Sequence, residues 1–330
     1  MSIVLLWWTL HDVAISEVWA RLRGVRIVPL LGTVALATAA FPVRTVRWRC
    51  LLRIDGNALP FVPLWHATAI GFMANNLLPA RAGEFARAYA ARRLTAARFS
   101  TAFASIVAER VLDGIVLVAL LTIAIWAGGF APDTVVGGVT LGSIVRGAGA
   151  VFGILLILAL LLVHWPDPAL RLASRVAGFG LPTRWADRMM QIMRGLLSGL
   201  EGLRGPWLFV TVTFWSFAVW IIAAASFWLA FQAFDIRVPL SAALLLQGLI
   251  AMGVAIPSSP GFFGPFEAVI RVSLALYGVD AGRAVSYAVG YHLATFLPIT
   301  LLGIWSLSRA HLHMRELRTA EANGIESQGP

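Results

Sequence analysis

Residues 64–93, LWHATAIGFMANNLLPARAGEFARAYAARR, begin as a membrane helix and do not finish as one. Leu64 to Leu78 is apolar apart from His66, Asn75 and Asn76. At 1.5 Å per residue it reaches about 22 Å, short of the roughly 30 Å hydrocarbon core. Pro79, Arg81, Gly83 and Glu84 follow. Pro79 removes a backbone donor, and Gly83 permits a turn that a side chain would resist. Arg81 and Glu84 place opposite charges at a depth where charge persists only if paired or facing a wet cavity. A second broken segment lies near the other end of the chain: Leu244–Ile256, then PSSPGFFGPFE (Pro257–Glu267), then Ala268–Leu276. Two interrupted apolar segments in corresponding places predict an inverted repeat with a site between its halves. The expected fold is an all-α polytopic integral membrane protein with two opposed re-entrant helical hairpins, about residues 62–98 and 240–277.

Composition agrees. Of 330 residues, 59% are hydrophobic and 13% charged, and the mean hydropathy is +0.81. These values exclude an ordinary soluble enzyme. A net charge of +10 would suggest nucleic acid in a soluble chain. Here the basic residues sit between apolar runs, so the positive-inside bias and anionic lipid explain them, and no nucleic-acid partner is expected. All 26 basic residues are arginine. The single cysteine, Cys50, excludes an intramolecular disulfide and a cysteine metal site. No basic stretch precedes Ile3–Leu10 and no small-residue cleavage site follows, so no cleaved signal peptide is expected.

Ile3–Leu10 is too short to span, and Ile15–Arg23 reads as an interfacial helix. Either this is a shallow insertion or the start lies upstream of Met1. Val25–Val43 reads as a span, followed by Arg44, Arg47, Trp48, Arg49 and Arg53 as a basic, aromatic collar at an interface. Phe99–Trp126, Ile144–Val163, Pro206–Phe231 and Arg283–Leu307 complete the spans. The arginines of 164–204 and of the tail place those segments in the cytoplasm, with 128–142 and 232–239 outside. The first hairpin then enters from the cytoplasm and the second from outside. Arg21, Arg23 and Arg26 fall outside on this count, against the rule. Residues 1–310 read as one transmembrane domain and 311–330 as a polar, disordered cytoplasmic tail, with His311 and His313 solvated rather than metal-binding.

Glu109, Arg110 and Asp113 fall roughly 15–21 Å into their helix, near the midplane. Glu109 and Asp113 are four apart and share a face. Two readings stand: a buried salt-bridge cluster that locks helices, or a polar cavity for a lipid headgroup. Arg81, at the first hairpin tip, and Arg110 are natural phosphate ligands. Glu84, Glu109 and Asp113 would orient them or bind a cationic group. In the second hairpin, Ser258 and Ser259 supply hydroxyls, and Gly261 and Gly264 allow close backbone approach. Glu267 and Arg271 are four apart and read either as a mutual pair or as ligands. Asn75, Asn76, Gln247 and His292 are polar residues in apolar surroundings that either pack or bind. No catalytic set, metal motif or dinucleotide fingerprint is present, so neither an enzyme nor a cofactor is expected.

RTVRWRCLLR (Arg44–Arg53), GFMANNLLPARAGEFAR (Gly71–Arg87), SIVAERVLDG (Ser105–Gly114) and IPSSPGFFGPFEA (Ile256–Ala268) resemble the lysylphosphatidylglycerol synthase transmembrane family. This is the flippase-like membrane domain also found at the N-terminus of bacterial multiple peptide resistance factors. The resemblance runs over about residues 10–310. Its P-x-R-x-G-E, E-R-x-x-D and P-x-x-P-G-x-x-G-x-x-E elements carry the family's polar core onto Arg81, Gly83, Glu84, Glu109, Arg110, Asp113, Gly261, Gly264 and Glu267. The resistance factors continue into a soluble aminoacyltransferase domain, which does not follow here. The first span is shorter than the family pattern.

The resemblance implies lipid translocation in a bacterial inner membrane. The partner is a membrane lipid with an anionic or amphiphilic headgroup: a phospholipid, hopanoid, glycolipid or polyprenyl-linked glycan. A lipid-synthesising enzyme or a second copy are further candidate partners. The competing readings are a membrane-embedded lipid-linked transferase using Glu109 and Asp113, and a non-catalytic scaffold for a lipid- or glycan-synthesising enzyme.

Overall fold

The computed structural model describes residues 2–54, 56–79, 82–178, 205–254 and 259–314, with positions 190, 193–195, 197, 200, 316 and 317. The apolar runs become helices, because in lipid only a helix or a closed barrel satisfies every backbone group. Among the described residues five are long and apolar enough to cross a membrane, six if the bent pair at the N-terminus counts as one span. The five are α3 (Ile27–Leu51), α6 (Phe99–Ala127), α7 (Leu141–His164), α9 (Pro206–Ala233) and α12 (Ala281–Arg309). Ahead of them, α1 (Ser2–Leu10) and α2 (Ile15–Arg23) meet at a bend of 81°. An amphipathic helix, α8 (Pro166–Gly178), follows α7.

Both broken segments are broken. Helix α4 (Phe61–Leu77) stops before Pro79, and α5 (Gly83–Leu94) restarts at the glycine. Helix α10 (Leu240–Gly253) is followed by a 3₁₀ turn at Pro260–Phe262 and then by α11 (Pro265–Ala275). Two short antiparallel ribbons lie in the loops after α3 and α6. β1 (Arg53–Ile54) pairs with β2 (Asn57–Ala58), and β3 (Val135–Val136) with β4 (Val139–Thr140).

Contacts between loops define the two ends of the bundle. At one, Arg21 lies 3.8 Å from Asp280. Arg283 donates to the Asp235 carbonyl at 3.2 Å, and the Phe130 and Tyr277 rings are 5.2 Å apart. At the other, Tyr89 donates to Glu316 at 3.0 Å. There Leu51, Leu52, Leu59, Val163, Leu200, Leu312 and Leu317 share one apolar cluster. The α4–α5 pair leaves from and returns to the Glu316 end. The α10–α11 pair leaves from and returns to the Asp280 end.

The core divides accordingly. One cluster packs α4 and α5 with Trp48, Ile106 and Leu112. Another packs α10 and α11 with Phe227, Phe231, Tyr287 and Tyr291.

One boundary differs from the sequence reading in a way that matters for the site. Helix α3 runs through Pro42 to Leu51, so Arg44 and Arg47 lie inside it. Pro42 removes one helical hydrogen bond without ending the helix. Arg47 and Trp48 are fully buried rather than interfacial.

Candidate functional site

The buried charges converge where α3, α5, α6 and α9 meet. Successive turns of α6 present Glu109 and Asp113, both buried. Arg47 of α3 reaches across to both. Its guanidinium lies 3.0 Å from Glu109, grips Asp113 Oδ1 with one nitrogen, and reaches Asp113 Oδ2 with the other at 3.2 Å. It also donates to Ser216 Oγ of α9 at 3.1 Å. Arg87 of α5 makes a two-pronged bond to Glu109, at 2.8 and 3.1 Å. Its guanidinium lies 3.8 Å from the centre of the Trp48 ring. Arg110 reaches back to Glu109 at 2.5 Å and to Asp113 at 3.2 Å. Trp220 of α9 donates its indole N–H to Asp113 at 2.8 Å. Each contact is charge-assisted, the strong class of hydrogen bond.

The two carboxylates are therefore saturated. Their contacts tie α3, α5, α6 and α9 together, the geometry that the locking reading of these residues requires. Of the two arginines the sequence suggested for Glu109 and Asp113, Arg110 does meet both, Arg47 and Arg87 join it, and Arg81 lies outside the described residues. The neighbouring Glu84 keeps one buried oxygen without a hydrogen bond and lies within Coulombic reach of Arg110.

Among the described residues, four guanidinium groups meet three carboxylates in this region, and Arg44, within Coulombic reach of Asp113 and Glu109, is the one that touches none of them. It makes no hydrogen bond or ion pair with any described residue. Its guanidinium sits 5.1 Å from the Phe72 ring centre and 5.4 Å from that of Trp220, a pair of cation–π contacts. It is partly exposed, between α3, α4 and α9, about 10 Å along α3 from its Glu316-end terminus. Arg110 is also open, with 37% of its side chain exposed.

The second polar group is separate. Glu267 does not pair with Arg271. One of its oxygens accepts the Gly264 N–H at 2.6 Å, capping α11, and the other meets His292 Nδ1 at 2.5 Å. Arg271 turns outward to Asp12, which it holds at 2.5 and 2.7 Å, and to the Trp8 and Thr9 carbonyls. Its hydrogen bond and charge hold the Asp12 carboxyl below the usual range. The spacing of four residues suggested a mutual pair because both partners of the correct pairing, His292 and Asp12, are remote in sequence.

Most of the remaining described residues expected at the site make contacts within the fold. Asn75 Oδ1 accepts the Gly83 N–H at 2.9 Å and closes the first hairpin. A Cβ on Gly83 would lie 2.2 Å from the Gly71 carbonyl, so a bare backbone is what lets α4 and α5 touch. Asn76 donates to Thr300 at 2.9 Å. Ser259 donates its hydroxyl to the Phe263 carbonyl at 2.9 Å, and its N–H to Ser2 at 3.0 Å. Gly264, at φ 98°, admits the Ser2 carbonyl where a Cβ would stand 2.3 Å away. Gly261 faces the Phe296 ring. Both glycines thus admit the protein's own helices α1 and α12. Ser258 lies outside the described residues. Gln247 is buried with both amide atoms unpartnered.

A surface cavity of about 430 Å³ at the Asp280 end is lined by Asp235, Arg237, Tyr277, Asp280 and Arg283 and shares no residue with either polar group.

Residues 1–303 match a family model described as the lysylphosphatidylglycerol synthase TM region. Three proteins of Methanothermobacter thermautotrophicus, each described as a UPF0104 membrane protein, are similar along most of their length. One is 24% identical over 277 residues, covering 79% of this chain and 77% of the relative. A second is 24% identical over 276 residues, with the same coverage. A third is 24% identical over 308 residues, covering 88% of this chain and 87% of the relative. With its multi-pass helices and its matched length, the chain belongs to the lysylphosphatidylglycerol synthase transmembrane-region family.

Proposed function

We propose that this protein moves a phosphate-bearing membrane lipid between leaflets without chemically altering it. The observation that carries the proposal is Arg44. Among the described residues it is a cation with no ion pair or hydrogen bond, held between two aromatic rings where three helices meet, beside a cluster of paired charges. An unmatched arginine inside a membrane protein is costly unless an anion or water completes it, and a phosphate fits the guanidinium fork. The headgroup would sit against Arg44 and the open face of Arg110 while the acyl chains remain in the bilayer. Nothing in this reading requires a cofactor.

The two broken helix pairs, leaving from opposite ends, support an inverted repeat of re-entrant hairpins. The arginines of 164–204 and the tail support a bacterial inner-membrane orientation with the Glu316 end in the cytoplasm. Cysteines placed at Thr134 and Ser174 in a Cys50→Ala background test that orientation. Labelling of both from one side of intact cells would overturn it.

The transferase reading fares worse. Carboxylates tied up by Arg47, Arg87, Arg110 and Trp220 are poor acids and bases. The same saturation favours the scaffold for a lipid-synthesising enzyme as the second reading.

The test is flip of fluorescent phosphatidylglycerol in proteoliposomes. Arg44→Ala is expected to cut the rate by about one to two orders of magnitude, the worth of a charged hydrogen bond, and Arg44→Lys by less. An undiminished rate in Arg44→Ala removes the proposed site.

A further inference from the structure

Glu267 and His292 are a buried ionisable pair that headgroup binding does not use. Glu267 is 2% exposed and His292 7%. The imidazole is boxed by aromatic rings. Phe263 stacks on it at 4.3 Å, Phe266 lies at 4.5 Å and Phe296 at 6.1 Å. His292 falls about 17 Å into α12 from the Asp280 end, well within a lipid-spanning length. A capping carboxylate needs no histidine, and an aromatic box needs no charge. Their conjunction puts a ring nitrogen that can take a proton against a carboxylate, out of reach of bulk water.

The charge balance is simple. With neutral imidazole the pair carries one negative charge. Taking one proton from water gives an imidazolium–carboxylate pair with no net charge, and giving that proton back restores the first state. No other bond changes. The carboxylate accepts the Gly264 N–H at the N-terminus of α11, where the helix dipole favours negative charge. Imidazole is the side chain whose ordinary titration falls between about pH 5 and 8.

The surroundings contain few competitors. Helices α1, α9 and α10 carry no acidic, basic or histidine side chain. On α11 the one other charge, Arg271, is neutralised by Asp12 beside His11. Helix α2 brings Glu17, Arg21 and Arg23, and Glu17 lies against Gly282, at the start of α12. Helix α4 brings His66, against Trp305 and more than three turns from His292. Along α12 itself lie Arg283, Tyr287, Tyr291 and Arg309. Of the arginines of α3, Arg44 lies within Coulombic reach of Tyr291, the residue next to His292, and Phe266 stacks on Tyr291 and lies tilted against His292.

We propose that Glu267 and His292 form a proton-binding site that couples lipid movement to the proton gradient. This rests on the translocation reading. The pair belongs to the return arm of the second broken segment and to the helix beside it. Loading and unloading the proton would therefore change the charge of the element whose packing must shift, one helix neighbour away from Arg44.

Two measurements test it. The first needs no transport: histidine-labelled protein in detergent, titrated by NMR between about pH 5 and 8, with His292→Gln to assign the signal. A titrating imidazole lost in His292→Gln supports the site; a His292 signal that does not move across that range overturns it. The second uses phosphatidylethanolamine–phosphatidylglycerol proteoliposomes with fluorescent phosphatidylglycerol and a trapped pH dye. A gradient of one pH unit is expected to change the wild-type rate by up to about tenfold, the factor that unit carries, with proton flux alongside. In His292→Gln and Glu267→Gln the ratio of gradient-driven to symmetric rate falls to about one, whereas Arg44→Ala lowers both rates and keeps the ratio. A wild-type rate indifferent to the gradient, or His292→Gln that keeps the ratio, overturns coupling. If no labelled lipid moves at any pH, the translocation reading fails, and the histidine titration still decides whether the pair binds a proton.

Discussion

The two halves of the molecule handle buried charge differently. Around α6 the positive charges are all arginine, which holds its proton at any physiological pH, and they lock two carboxylates into a lattice with a third close by. Around α11 the partner of the buried carboxylate is a histidine, and the one arginine has been moved to the edge and given to Asp12. The first arrangement is permanent and can only be broken. The second, with the proton site we propose, can be switched. A protein that had to keep a cavity open while one wall moved would need both, one on each side.

The largest expected effect tests the permanent half. Glu109→Gln leaves Arg47 and Arg87 buried beside a neutral amide. Removing one partner of a buried pair costs about 3–5 kcal/mol, so the melting temperature in detergent should collapse or the protein fail to accumulate. A melting temperature near wild type would mean that the lattice is slack and the comparison false. Next in size is Gly264→Ala, which combines a positive φ with a clash against Ser2. Strain of this kind costs about 1–3 kcal/mol, and truncating Ser2–Leu10 in the same background should recover the part due to the clash. His292→Gln should move stability less than Glu109→Gln, because a neutral amide can still donate to Glu267. If the two variants melt alike, the second half is a strut as well. The smallest effect belongs to Asp12→Asn. Its bond to Arg271 is exposed and screened, so the melting temperature should barely change. Its footprint should be local, as faster hydrogen exchange in Ser2–Leu10. Unchanged exchange there would show that α1 is held by packing alone.

Much of this was legible in the sequence, and the exceptions share a cause. The two broken segments, the long α6 and its Glu109–Arg110–Asp113 face are local signals: a proline, a glycine, an i, i+4 spacing. Pairings across the chain were not legible. Arg47 looked interfacial because Arg44, Trp48, Arg49 and Arg53 surround it, and a collar has the same composition as a helix end that continues inward. Arg87 did carry a usable sign. It stands among Ala82, Ala86, Ala88, Ala90 and Ala91, all nearly inaccessible, and a charge set in a run of small residues marks close helix packing rather than a wet surface. Gly261 and Gly264 announced a close approach correctly but could not say to what, and the answer was the N-terminal helix.

The contact between Arg47 and Asp113 joins residues 66 positions apart, and that separation bears on how the protein is made. At about 5–20 residues per second, several seconds of synthesis pass between the emergence of α3 and that of its counterions on α6. During that interval a nascent helix bearing Arg44 and Arg47 faces the translocation channel with nothing to neutralise it. Each such arginine, placed at a helix centre, costs about 2.5–3.5 kcal/mol to insert. Helix α3 should therefore linger at the channel mouth and enter the bilayer together with α6. Damage to Glu109 or Asp113 would then appear in cells first as an early span that never leaves the insertion machinery.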